Sequence, residues 1–289
     1  MQKRYFEKLV EAAVFLSGLT AVLFVILIFV FLFRESAVFF SRVNIFAVLG
    51  GRNWYPLSEP PQFGFLPLLL GSLWVTFGAV VVALPFGLAA AIYISEVAPA
   101  RLKDILKTGI ELLAAIPSIV LGFIGIVVLA PWLKNLFNLP CGLMALTGSI
   151  LLGFMAMPTI VSIIEDSIAS VPRSYKEGAL ALGATHWQTI RRVILPAALP
   201  GIIAAVMLGI GRVIGETMAV LMVTGNAAII PTSILQPVRT LTATVAAEMG
   251  EVVRGSLHYY ALFGIGLVLF VITFVINLVA DLVLHRKRV

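Results

Sequence analysis

Six apolar runs, each long enough to cross a lipid bilayer, dominate this 289-residue chain, at about 9–33, 66–94, 110–133, 143–164, 201–224 and 261–284. Crossing the hydrocarbon takes about 20 mostly apolar residues, and every backbone polar group must be bonded within the segment, which leaves the helix as the solution for such runs. The expected fold is therefore all-α: a polytopic membrane protein of six transmembrane helices. Composition agrees, with 61% hydrophobic and 12% charged residues against about 45–50% and about 25% in soluble domains. The first run follows a basic start, MQKRYFEK. It is longer than the roughly 7–15 residues of a signal-peptide core, and FRESAVFF after it offers no small-residue cleavage site. It reads as a retained span.

The chain divides at about residue 65. Residues 1–65 hold the N-terminal tail, the first span and a loop with Trp54, Tyr55, Pro56, Pro60 and Pro61, which predicts irregular, interfacial backbone. Residues 66–289 hold the other five spans. Pro117, in Ala115-Ile116-Pro117-Ser118, predicts a kink in the third span, and Pro158 falls near the end of the fourth. Cys141 is the only cysteine, so an intrachain disulfide and a cysteine metal cluster are excluded, and no cofactor is expected.

Charge fixes the orientation. Thirteen of the twenty Lys and Arg fall at the two termini, in the connection from span two to span three, and in that from span four to span five. The positive-inside rule places these segments in the cytoplasm. The net charge of +6 reads as membrane topology, and no nucleic-acid partner is implied.

Between spans four and five lies a mostly polar, helix-patterned insert, SYKEGALALGATHWQTIRRVILP, from Ser174 to Pro196. Ser174 with Glu177, and Thr185 with Gln188, each have capping-box spacing. Gly183 lies between them, where a first helix would need a left-handed residue. Two short helices with a glycine elbow are predicted, at about 175–182 and 186–195, with Pro196 preventing simple continuation. Tyr175, Ala179, Leu182, Ile190 and Val193 form an apolar stripe at helical spacing. The pattern on its own fits an amphipathic connector lying in the membrane interface first, with a knuckle presented to another protein as the alternative.

The fifth span, MLGIGRVIGETMAVLMV, carries Arg212 and Glu216 four residues apart, which predicts a stacked pair on one helix face. A charge at the centre of a span costs about 2.5–3.5 kcal/mol, so the pair must face protein or water. One reading is mutual neutralisation, with Gly209, Gly211 and Gly215 admitting a neighbouring helix. The other is that Arg212 meets an anionic substrate, its guanidinium fork matching a tetrahedral oxyanion, with Glu216 as resting counter-ion. Ser118 and Thr217 are further path candidates, although hydroxyls in spans also bond their own helix.

Glu177-Gly178-Ala179, three residues, Gly183, nine residues and Val193-Ile194-Leu195-Pro196 resemble the EAA loop of ABC-transporter permeases, with Gly178 and Val193 departing mildly from that pattern. Gly211 to Val220 resembles the signature of PstC-type phosphate permeases, and Ile116-Pro117-Ser118-Ile119-Val120 with Gly122 resembles that family's third-span motif. The resemblance covers about residues 66–285 and Phe33 to Ser36. It implies the type I importer architecture with a cytoplasmic coupling helix. It also implies a second, PstA-type permease, two cytoplasmic ATP-binding subunits, an external phosphate-binding protein, and inorganic phosphate as cargo across the bacterial inner membrane. Glu177, Gly178, Ala179, Gly183, Leu195 and Pro196 would then belong to the ATPase-coupling unit, and Arg212, Glu216, Thr217 and Ser118 to the substrate path. The family often has a basic residue where His186 stands.

No Walker-type GxxxxGK[ST] occurs, so the chain itself is expected to be non-catalytic. A permease for sulfate, molybdate or tungstate shares the loop and the oxyanion chemistry. An ATP-independent channel or carrier that merely displays an amphipathic loop is the rival from another class. An intramembrane enzyme finds no HExxH and no paired intramembrane Asp, and His186, His258 and His285 all lie outside spans or near their ends.

Overall fold

A computed structural model describes residues 2–285. Helix α1 (Gln2–Arg42) is followed by a short α2 (Ile45–Leu49). Next comes a two-stranded antiparallel hairpin, β1 (Trp54–Tyr55) and β2 (Gln62–Phe63), with Trp54 opposite Phe63. Then come α3 (Leu66–Ile92), α4 (Ala100–Ala115), α5 (Ser118–Ile124), α6 (Ala130–Leu136) and α7 (Ala145–Ala169). The remaining helices are α8 (Arg173–Ala181), α9 (His186–Thr189), α10 (Leu195–Gly215), α11 (Met218–Val223), α12 (Leu241–Glu248) and α13 (Leu257–His285). Wide π turns at Tyr93–Val97, Gly125–Leu129 and Ile190–Ile194 extend α3, join α5 to α6, and join α9 to α10. Among the described residues, six helical segments are long and apolar enough to cross a membrane.

The centre of the bundle is α7, the most buried span, with α3 laid along it. Apolar packing against lipid-like surroundings gains little, so close approach of backbones at small residues has to hold such helices together. A Cβ at Gly78 would strike the Ser149 side chain, one at Gly87 would meet Ile160, and one at Gly153 would meet Val82 and the Ala79 carbonyl. The Ser149 hydroxyl donates to the Ala145 carbonyl of its own helix at 2.9 Å and shares that proton with the Val75 carbonyl of α3 at 3.2 Å. By contrast the apolar stretch of α1 is itself unburied and leans on α13 through contacts such as Phe29 with Phe270.

A second core closes the hairpin end. Phe39, Trp54, Phe63, Phe65, Leu68 and Leu241 are buried together. Glu248 of α12 is its polar pin. It accepts from Trp54 Nε1 at 3.1 Å, from Arg239 Nη1 at 2.6 Å and from His258 Nε2 at 2.7 Å. Arg239 also donates to Asn226 Oδ1 at 2.8 Å, so its side chain is used within the chain.

The structure corrects several element boundaries. Pro117 ends a helix outright instead of kinking one. The residue before a proline avoids the α region, and Ile116 is extended at φ −69°, ψ 127°. Residues 100–115 therefore form α4, an amphipathic helix with no buried residue, and the third span starts at Ser118. Pro158 lies inside α7, which runs on to Ala169. Pro196 does not stop the chain either. The Leu195 N–H reaches back five residues to Ile190, and the proline, lacking an N–H, stands in the first turn where the ladder changes. The continuous helical segment that carries the fifth span thus begins at His186.

Candidate substrate path and docking unit

Two spans are broken at the same depth. Contacts between α5 and α11 advance together along both helices: Gly122 meets Ala219 and Met222, and Gly125 meets Val223. The two helices therefore run parallel, and their starts, after the breaks at Ile116-Pro117 and Glu216-Thr217, lie side by side. Thr242 of α12 donates from Oγ1 to the Glu216 carbonyl at 2.8 Å. Ser72 Oγ on α3 accepts the Leu241 N–H at 3.0 Å. The second break is thus stitched through α12 to the N-terminal end of α3.

The expected stacking of Arg212 with Glu216 does not form. Helix α10 ends at Gly215, and Glu216 is extended at φ −69°, ψ 134°. Its carboxylate is turned to the start of α11, where Oε1 accepts from Thr217 N at 3.1 Å and Ala219 N at 3.4 Å. A carboxylate is well placed there, because the first amides of a helix have no partner of their own. Arg212 stands one turn before the break, on a face of α10 shared with Leu208 and Gly215 that is exposed in this chain. It makes no hydrogen bond or ion pair among the described residues. Its neighbour Val213 is buried on the adjoining face, where Gly209 packs against Ile160. Ser118 is half-buried with its hydroxyl unbonded among the described residues, and Thr217 donates to the Gly215 carbonyl at 3.2 Å. The structure therefore brings Ser118, Arg212, Glu216 and Thr217 to one level, with the guanidinium facing away from its own bundle.

The α8–α9 unit is a helix–elbow–helix, as its sequence predicts. Gly183 is left-handed at φ +84° with open space around it. The Thr185–Gln188 capping box is present, with Gln188 N donating to Thr185 Oγ1 at 3.3 Å and Thr185 N to Gln188 Oε1 at 2.9 Å. The Ser174–Glu177 box is absent. Helix α8 starts two residues earlier than expected, with Pro172 as N-cap, so Ser174 is already in the first turn and its hydroxyl caps nothing. No residue of α8 is buried. Tyr175, Leu180, Leu182 and Trp187 are exposed, Leu182 at 90%, while Thr189, Ile190 and Ile194 anchor the unit in the core. Glu177, Gly178, Gly183 and Pro196 are exposed as well, with Ala179 and Leu195 half-buried. Lone surface apolar residues are ordinary, but a cluster on one knuckle is the pattern of a surface that meets protein or membrane.

Two sets of polar ties were not visible in the sequence. Glu165, nearly buried in the last turns of α7, is gripped by Lys103 at 3.0 Å and Lys107 at 2.8 Å from α4. The hydrogen bond to Glu165 raises the Lys107 ammonium above its ordinary value, against a smaller desolvation effect. Glu96, in the π turn that ends α3, accepts from Lys176 of α8, and its backbone carbonyl lies 3.2 Å from His186 Nε2 of α9. A lone acid just past an apolar run, with lysines at helical spacing on the preceding amphipathic segment, was the available signal for the first set. Among the described residues, no group of three or more His, Cys, Asp or Glu is placed to hold a metal ion.

Comparison with known proteins agrees with this arrangement. Residues 83–289 match the family described as binding-protein-dependent transport system inner membrane component. The chain is 42% identical over 249 residues to the probable ABC transporter permease protein YqgH of Bacillus subtilis, covering 86% of this chain and 81% of that one. It is 38% identical over 260 residues to the phosphate transport system permease protein PstC of Mesorhizobium japonicum, covering 83% and 79%. Among solved structures, a bacterial alginate ABC transporter with its pentasaccharide-bound periplasmic protein aligns at TM-score 0.62 and 16% identity, covering 93% of this chain and 94% of that one. The inward-facing MetNI methionine ABC transporter aligns at 0.60 and 20%, covering 80% and 99%. At these identities the solved structures establish the fold, that of a type I ABC importer permease, while the curated relatives establish kinship. The chain belongs to the binding-protein-dependent transport system inner membrane components, and within them to the PstC-type permeases.

Proposed function

We propose that this chain is the permease subunit of an ATP-driven importer of inorganic phosphate, a multi-pass protein of the inner membrane that forms part of the translocation path and performs no hydrolysis itself. The observation that carries this reading is Arg212, a charged fork set in a span, unpaired among the described residues and facing out of its own bundle. A cation at that depth is tolerated when it lines a water-filled path or meets another protein. The two helix breaks beside it leave irregular backbone, which in a membrane is tolerated along a cavity or under protein cover. The path then runs between this chain and a second permease of PstA type, with Ser118, Thr217 and Glu216 beside it. The relatives named as phosphate transport system permeases supply the cargo.

The α8–α9 unit, with Glu177, Gly178, Ala179, Gly183, Leu195 and Pro196, is the surface that couples to one of two ATP-binding subunits, and both termini lie on that cytoplasmic side. An external phosphate-binding protein delivers the anion to the hairpin end. ATP binding can shift the conformational balance only through contacts that differ between the states, and the exposed knuckle is where such contacts would form. The test is purification of the whole complex from membranes, followed by reconstituted uptake of labelled phosphate with sulfate, molybdate and tungstate as competitors. Phosphate alone should compete at low concentration. Stronger competition by another oxyanion would reassign the cargo, and uptake surviving ATP depletion would reject ATP coupling.

A further inference from the structure

The α8–α9 unit is exposed over most of its surface, yet two of its side chains reach back to the same turn of the same span. Lys176 of α8 forms an ion pair with Glu96, and His186 Nε2 of α9 faces the Glu96 backbone carbonyl at 3.2 Å. The Glu96 side chain is only 11% exposed. The π turn Tyr93–Val97 holds it there at the end of α3. At its other end α3 makes an equally close contact. A Cβ at Gly71 would run into the Arg239 carbonyl, and Ser72 accepts the Leu241 N–H. One residue further on, Thr242 bonds the Glu216 carbonyl at the break next to Arg212. Between its ends α3 is locked to α7 at Gly78, Gly87 and Gly153, where no side-chain volume is free to absorb a displacement. Packed helices of this kind move as units, because close-packed contacts tolerate little compression.

We infer that Glu96 is a positioning residue of transport: it fastens the docking unit to α3, so that a push on the knuckle is delivered along α3 and α12 to the Glu216 break. This rests on the reading of α8–α9 as the surface that meets the ATPase. Spatial continuity alone is not coupling, so the experiment must measure coupling directly. The complete complex is reconstituted with its partner permease, ATP-binding subunits and binding protein. Three forms are compared with wild type: Glu96→Lys, Lys176→Glu, and the double exchange Glu96→Lys with Lys176→Glu. The readout is the ratio of hydrolysis with phosphate-loaded binding protein to hydrolysis without it, alongside phosphate taken up per ATP.

Each single exchange should lower that ratio about five-fold or more, the lower end of ordinary coupling energies. The double exchange, which rebuilds the ion pair with reversed polarity, should recover most of it. A purely structural role would lower complex yield and melting temperature without changing the ratio in the complexes that assemble. Single exchanges with a wild-type ratio, or a double exchange no better than either single one, would overturn the proposal. Failure of the underlying reading looks different: the wild-type chain would then purify without any ATP-binding subunit.

Discussion

Arg212 carries its charge on a face of α10 that its own chain leaves open, with Glu216 engaged elsewhere at the start of α11. A charge-assisted contact is worth about 1.5–3 kcal/mol, and every 1.4 kcal/mol is about tenfold in an equilibrium or rate. Arg212→Ala should therefore reduce phosphate uptake roughly ten-fold or more in complexes that assemble normally. Arg212→Lys should recover only part, because an ammonium lacks the planar fork. Normal uptake by both variants would remove Arg212 from the path. Gly183 gives a different kind of residue-scale expectation. A side-chain-bearing residue in the left-handed region costs about 1–2 kcal/mol, and the surrounding space is open, so Gly183→Val should distort the elbow without a clash. The complex should remain in the membrane while phosphate-stimulated ATP hydrolysis falls. Gly109→Ala is the control, since it sits inside α4, outside the docking unit, with nothing near its Cβ position, and should transport normally.

Helix α4 is held by partly buried Leu106 and Ile110 and by polar contacts. None of its residues is buried, and Lys103 and Lys107 hold it to Glu165 on α7. Glu165→Gln should loosen α4, which limited proteolysis between residues 98 and 117 would detect. It should also cost about 1 kcal/mol of thermal stability, a charged hydrogen-bond value discounted because the lysines remain partly in water. The pH dependence has a definite sign. Lys107 is held above its ordinary value, so its contribution is complete below that value and is lost as pH rises through the higher folded one. Melting measured across pH should be indifferent to this tie through roughly pH 7–9 and should weaken beyond about 10.4.

The same elements show what a sequence can and cannot disclose. The six spans were legible because apolar runs announce themselves, and the elbow was legible because Gly183 and the Thr185–Gln188 spacing encode local geometry. The Ser174–Glu177 spacing looked equivalent but lost to Pro172, whose extended backbone opens α8 two residues sooner. The break at Glu216 carries no proline, and only tertiary bonds from Thr242 and α11 amides make it intelligible. The Arg212–Glu216 pairing failed for the same reason, since i,i+4 spacing means adjacency only while the helix continues. Ties such as Lys107 with Glu165, Lys176 with Glu96 and Trp54 with Glu248 span 58, 80 and 194 residues, and no local pattern reaches that far.

For the whole molecule, the α3–α7 pair is the spine to which the α8–α9 unit, the Glu216 break and the hairpin end all attach. A tag at either terminus and a probe on α8 should be reached from one side of sealed vesicles, and a probe at Leu57 in the hairpin loop from the other. Opposite accessibility of the two termini would refute the six-span orientation. The unsheltered face of α10 also bears on how the chain lives in the cell. A copy synthesised without its companion would show hydrocarbon tails a bare guanidinium and two interrupted helices, which lipid cannot solvate. Such orphans should be cleared quickly by membrane quality control. Pulse-chase labelling should give a short half-life for the chain expressed alone and a long one when the second permease is co-expressed, so that subunit stoichiometry is enforced by degradation of the excess.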